Sequence, residues 1–173
     1  MQNIEFKAEL RDMALARAQA QALGARLISI VEQRDTYYKL PDGRLKKREA
    51  KGEPTEWIFY HRPDRAGPRM SHFTLYSDDQ ARLKWGTASL REWVTVRKRR
   101  EIFMIENVRI HLDEVESLGC FIEFEALCSR KWNVKRCHEE IADLRSAFAP
   151  ILGEAISGSY SDLVDRLARV REL

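Results

Sequence analysis

The sequence predicts an α+β fold, an eight-stranded antiparallel β-barrel with helices packed on its outside. Three observations carry this. Segments such as Asn3–Leu10, Val108–Val115 and Cys120–Leu127 alternate apolar and polar residues, the mark of strands with two unlike faces. Turn signals at Pro41-Asp42-Gly43, Lys51-Gly52-Glu53-Pro54, Glu106-Asn107 and Leu118-Gly119 join neighbouring segments, and hairpin joints make strands antiparallel. The polar face is charged in strand after strand. One such face alone reads as half solvated, and an open, salt-bridged sheet is the plain alternative. The same bias recurring opposite apolar faces fits charged faces that meet inside a closed barrel, which also removes sheet edges.

The elements follow in order. The first strand, Asn3–Leu10, puts Ile4, Phe6, Ala8 and Leu10 on one face and Asn3, Glu5, Lys7 and Glu9 on the other. A helix over Asp12–Leu23 starts at a capping aspartate and stops at Gly24. Its apolar stripe reads as Ala14, Leu15, Ala18, Ala22 and Leu23. Strands follow at Leu27–Leu40, Arg44–Glu49 and Glu56–Arg62, the last ended by Pro63, with another over Ser71–Tyr76. Asp78–Leu90 reads as a helix weakened by Gly86. Strands at Glu92–Ile105, Val108–Val115 and Cys120–Leu127 precede helices at Val134–Leu152 and Ser161–Val170. No repeat, low-complexity tract or linker interrupts residues 1–173, so a single domain is expected.

Composition narrows the class. Charged residues make up 33% and hydrophobic ones 44%, as in a globular chain. No apolar run reaches the roughly 18 residues of a membrane span, and the N-terminus lacks a signal-peptide core. Neither membrane nor secretion is expected. The three cysteines, Cys120, Cys128 and Cys137, are odd in number and lack C-x-x-C spacing, which suits a cytoplasmic protein. The net charge of +3 is too mild to imply nucleic acid. Apolar surface on the helices would suit pairing in a homodimer.

The face opposite the apolar side chains holds the candidate chemistry. It carries Glu5 and Lys7, Lys46 and Arg48, Arg62 with Tyr60 as a further member, Arg109, His111 and Asp113, and Glu123 and Glu125. The run Arg97-Lys98-Arg99-Arg100 contributes Lys98 and Arg100, or Arg97 and Arg99 if the register slips by one. Converging Lys and Arg suit a polyphosphate. Clustered carboxylates suit a hard cation such as Mg²⁺ or Mn²⁺, which bridges to phosphate oxygens. Carboxylates alone would repel a phosphate, so basic strands, acidic strands and a metal together make a consistent site. Glu5, Asp113, Glu123 and Glu125 oppose a nucleic-acid role, and no aromatic-rich ribonucleoprotein motif is present. His61, His72 and His138 show no ligand spacing, while His111 fits a site role and a structural one equally. No Walker, Rossmann or nucleophile-elbow motif is present.

The order and spacing of several segments resemble the CYTH superfamily of triphosphate tunnel metalloenzymes, within it the class IV adenylate cyclase-like branch. They are Asn3-Ile4-Glu5-Phe6-Lys7 for the opening E-x-E-x-K motif, Leu45-Lys46-Lys47-Arg48, Tyr60-His61-Arg62-Pro63-Asp64 and Arg97-Lys98-Arg99-Arg100. Arg109–Val115, Phe121-Ile122-Glu123-Phe124-Glu125 and Gly158-Ser159-Tyr160-Ser161-Asp162-Leu163 complete the pattern. The resemblance implies a triphosphate tunnel with Glu5, Asp113, Glu123 and Glu125 as metal ligands for Mg²⁺ or Mn²⁺. It implies Lys7, Lys46, Arg48, Arg62, Lys98, Arg100 and Arg109 as phosphate contacts, with Glu5 and Lys7 at the reacting centre. The implied substrate is ATP, converted to cyclic AMP and pyrophosphate. Thiamine triphosphate or tripolyphosphate hydrolysis is the alternative, as is a catalytically weak phosphate-ligand binder. Asn3 stands where the motif has its first glutamate; its carbonyl can ligate a metal but adds no charge, which bears on catalysis more than on phosphate binding.

Overall fold

A computed structural model describes residues 1–173. Its elements are β1 (Gln2–Leu10), α1 (Met13–Ala22), β2 (Arg26–Lys39), β3 (Arg44–Ala50), β4 (Glu56–His61), β5 (Arg69–Ser77) and α2 (Asp78–Trp85). They continue with β6 (Glu92–Ile105), β7 (Val108–Val115), β8 (Gly119–Leu127), α3 (Val134–Phe148), β9 (Leu152–Ala155) and α4 (Tyr160–Arg171). The sheet runs β5-β4-β3-β2-β6-β7-β8-β1 and closes where β1 pairs β5, every pairing being antiparallel. The expected eight-stranded barrel is therefore present. No helix is long and apolar enough to cross a membrane.

The barrel is dressed inside out relative to a soluble sandwich. Outward side chains Ile4, Phe6, Ala8, Ile110, Leu112, Ile122 and Phe124 form the main core with Ile141, Leu144 and Phe148 of α3. Because alternation sends neighbours to opposite faces, burying this set under helices forces Glu5, Lys7, His111 and Glu123 into the barrel lumen.

Three expectations need correction. The helix expected to run to Leu152 stops at Phe148; a short 3₁₀ turn over Ala149–Ile151 contains Pro150, which lacks the N–H a helix needs. The chain then adds β9 beside the end of β1, pairing Leu10 with Leu152 and Ala8 with Ala155. The helix expected to run to Leu90 ends at Trp85, since Gly86 adopts φ 57°, a left-handed cap. Finally, α1 buries Ala16 and Ala20, while Leu15 is 56% exposed. That rotation presses small residues on the barrel and brings Arg17 to Glu101 in bonds of 2.7–3.0 Å.

The start of α1 is as expected: Asp12 accepts from the Leu15 N–H at 2.9 Å. Asp12→Ala should cost about 1 kcal/mol. Urea denaturation of wild type and variant measures it, and an unchanged midpoint would mean the cap contributes nothing.

Candidate functional site

A cavity of about 250 Å³ occupies the lumen, and Glu5, Lys7, Lys46, Arg48, Arg62, Lys98, Arg100, Arg109, Glu123 and Glu125 all line it. Strand register brings these charges together. Lys7 lies across from Glu123, Glu5 from Glu125, Arg48 from Asp35 and Arg100 from Asp113, and facing side chains in an antiparallel pair interact directly. The register of β6 is settled: Lys98 and Arg100 are buried and face inward. Arg97 is 58% exposed near Glu116, and Arg99 pairs with Glu101.

One part of the lumen is basic. The fully buried Asp35 carboxylate accepts from Arg48 Nε and Nη2 at 2.8 and 2.7 Å and from Lys98 Nζ at 2.8 Å, with Lys46 Nζ at 3.7 Å. Burial alone would raise its pKa, yet the three cations hold it well below the usual carboxylate range. Burial pushes Lys98 down to about 7 against the pull of Asp35, with Arg48, Arg100 and Lys46 adding repulsion. Burial and Arg48 bring Lys46 down to about 8. Nearby, Arg100 makes a bidentate pair with Asp113 at 2.7 Å in both contacts, and Tyr160 Oη donates to Asp113 at 2.6 Å. Both Asp113 oxygens are thus taken and the residue does not line the cavity. Its placement fits an anchor that aims Arg100 rather than an open ligand.

The other part is acidic. Glu123 sits 3.0 Å from Lys7 Nζ and 3.1 Å from His111 Nδ1. Burial opposes its charge, but Lys7, His111 and Arg100 keep it well below the ordinary range. Glu125 behaves oppositely: burial, then the nearby Glu123 and Glu5, push it up to about 8. Burial and the Arg100 charge bring His111 down to about 4, leaving a neutral ring. Glu5 is held by Arg62 at 3.1 Å.

These residues fit a hard divalent cation. Ligand atoms of His111, Glu123 and Glu125 lie within 4.8 Å of one another. Asn3 lines the same cavity, and its Oδ1 is buried without a hydrogen-bond partner. An orphaned carbonyl oxygen beside carboxylates that repel each other is an oxygen-rich site that a cation would satisfy.

The C-terminal segment forms part of the wall. Arg69, 2% exposed, donates to the carbonyls of Arg65, Ile156, Ser157 and Gly158 at 2.6–3.0 Å. This pins the segment before α4 so that Ser159 and Tyr160 line the cavity. Lys7 Nζ lies 3.8 Å above the Tyr160 ring, a cation–π contact. Arg109 is the outlier among the lining cations, exposed at the rim.

Sequence reasoning missed Asp35, Arg69 and Tyr37, the last of which lines the cavity. Alternation along Gln33, Asp35 and Tyr37 was the available signal for Asp35 and Tyr37, but it sits inside a dense polar run. Arg69 precedes the strand expected over Ser71–Tyr76, with no pattern to mark it, and β5 in fact begins at Arg69.

A family model described as CYTH domain matches residues 1–154. A Methanocaldococcus jannaschii protein named "Putative adenylate cyclase" is 24% identical over 174 residues, covering 94% of this chain and 98% of that protein. A Pyrococcus horikoshii protein of solved structure superposes with TM-score 0.75 at 22% identity, over 93% of this chain and 98% of its own. A Hippeastrum protein, whose structure is described with a dominant triphosphatase activity, superposes with TM-score 0.62 at 13% identity, over 96% of both chains.

Proposed function

Because the chain belongs to the CYTH domain family, we propose that its tunnel binds a triphosphate and converts it with a divalent cation, Mg²⁺ or Mn²⁺, in an adenylate cyclase-like reaction taking ATP to cyclic AMP and pyrophosphate. The observation that carries this reading is one cavity with a cationic part, Lys46, Arg48, Lys98 and Arg100, beside an acidic part, Glu5, Glu123 and Glu125, with the neutral Asn3 next to it. The cations neutralise phosphate oxygens through charge-assisted bonds, and their geometry is set before substrate arrives because Asp35 and Asp113 hold three of them. Preorganised charge of this kind is the main catalytic resource in phosphoryl transfer. Glu5, Glu123, Glu125 and the Asn3 carbonyl would hold the cation, which supplies charge neutralisation and activates an oxygen nucleophile. Lys7 stands between Glu123 and the Tyr160 ring, where it can follow charge building up on a phosphate oxygen.

Hydrolysis is the second reading, and the triphosphatase activity described for the Hippeastrum protein favours it. Incubating the protein with ATP, thiamine triphosphate and tripolyphosphate, each with Mg²⁺ and Mn²⁺, separates the two. Cyclic AMP with pyrophosphate supports the cyclase and inorganic phosphate the hydrolase. No turnover with retained thermal stabilisation supports a phosphate-ligand binder. Neither turnover nor stabilisation would overturn the reading. Three unpaired cysteines, Cys120, Cys128 and Cys137, suit a reducing compartment, and we take the cytoplasm as the setting of the proposed reaction.

The lysines make binding pH-dependent. With Lys98 near 7 and Lys46 near 8 in the free protein, an arriving polyanion favours their charged forms, so binding takes up protons. Metal-free tripolyphosphate affinity should therefore fall by about tenfold or more from pH 6.5 to 8.5. Calorimetry in buffers of different ionisation enthalpy would show uptake at pH 8; net release would contradict the assignment.

A further inference from the structure

The lumen does not end at the charged cavity. A second hollow of about 490 Å³ shares Arg48, Glu56 and Leu75 with it and reaches the turn between β3 and β4. Its character is different. Val31, Ile102, Leu75 and Pro54 give it apolar walls, and Glu53 and Glu56 are its acids. Arg48 is its sole lining cation, and that guanidinium is shared with the charged cavity, where it belongs to the phosphate-binding set. Gln33 also lines it, and Gln33 Oε1 is buried without a hydrogen-bond partner.

This chemistry rejects a further phosphate, which would meet carboxylates and hydrocarbon with no cation beyond the one shared with the charged cavity. It suits a flat, neutral or cationic group whose faces use the apolar walls and whose N–H donors meet Gln33 and the two glutamates. A buried acceptor with no partner costs free energy that a ligand N–H recovers. We propose that this annex holds the organic head of the triphosphate, a nitrogen heterocycle carrying an exocyclic amino group, with Gln33 as the residue that selects for it. The inference rests on reading the adjoining charged cavity as the triphosphate site.

The test compares ATP, purine riboside triphosphate (the same compound without the amino group) and tripolyphosphate by calorimetry in EDTA. Wild type should bind ATP about tenfold more tightly than purine riboside triphosphate, since a site built to hydrogen-bond a group discriminates against its absence. Gln33→Leu should erase that preference while changing tripolyphosphate affinity less than about twofold. Gln33→Glu, which keeps an acceptor, should retain the preference and serves as the informative variant should Gln33→Leu not fold. Equal wild-type affinities for ATP and purine riboside triphosphate, or a uniform loss of all three ligands in Gln33→Leu, would overturn the annex alone. Failure of wild type to bind even tripolyphosphate would instead remove the triphosphate site, and the annex with it.

Discussion

Asp35→Asn should destabilise the protein by about 3–5 kcal/mol, the cost of leaving buried charge without its partner. For a chain of this size that corresponds to a Tm lower by roughly 10 °C or more. The substitution keeps the shape of the side chain and removes only its charge. Arg48, Lys98 and Lys46 then face one another around a neutral amide, with Arg48 and Lys98 losing bonds of 2.7–2.8 Å. The loss should depend on pH. Lys98, at about 7, and Lys46, at about 8, already sit below their ordinary value near 10.5. Groups depressed in this way oppose folding while they are charged in the native state, and their penalty relaxes as pH rises through the native pKa toward the unfolded one. Without Asp35 both lysines fall further, so the variant should lag wild type more at pH 6 than at pH 9. Tripolyphosphate supplies the missing negative charge and should raise the Tm of the variant more than that of wild type. Thermal melts at the two pH values, with and without tripolyphosphate, measure all of this. A loss below about 1 kcal/mol at pH 6 would show that Asp35 is not the counter-ion on which the basic wall depends.

That aspartate also marks the limit of what the sequence discloses. The barrel was legible because alternation in β1, β7 and β8 is strict and the turns between strands are short. Once apolar faces must be covered by helices, the inward set follows without further information, and Glu5, Lys7, Lys46, Arg48, Glu123 and Glu125 all fall in one cavity. The β6 register was not legible because Arg97-Lys98-Arg99-Arg100 offers cations to either face; pairing Arg100 with Asp113 decides it. Asp113 itself lies on the inward face, but nothing in the sequence says that Arg100 and Tyr160 occupy both its oxygens. Asp35 and Arg69 act through contacts with residues distant in sequence, and local pattern carries no trace of those. The rotation of α1 was misread for a similar reason. Its alanines are nearly equivalent by periodicity, and the Arg17–Glu101 pair that fixes the rotation spans 84 residues.

Glu123→Gln and Asn3→Glu should move metal binding in opposite directions. Glu123 is the hub of the acidic part, within 3.1 Å of both Lys7 and His111 and inside the compact ligand group. Neutralising it removes a hard anionic ligand and frees Lys7 from its partner. Loss of a supporting metal-site residue typically costs 10–100-fold, and Glu123 is proposed as a ligand itself. Turnover should therefore drop by about 10²-fold or more, and stabilisation by Mn²⁺ should disappear. Asn3→Glu does the reverse at the other side of the cluster. Asn3 Oδ1 is buried and unpartnered, so a carboxylate there adds charge where an oxygen already points. In metal-free protein it joins Glu5, Glu123 and Glu125 and should lower the Tm, because another buried carboxylate must be neutralised or repelled. With Mn²⁺ that repulsion becomes attraction, and affinity should rise by about tenfold, read as a steeper Tm increase across a Mn²⁺ titration. The crossing of the two behaviours, less stable without metal and tighter with it, is what a ligand position requires. A general packing defect would lower the Tm under both conditions. If Asn3→Glu destabilises the protein equally with and without Mn²⁺, residue 3 lies outside the coordination sphere.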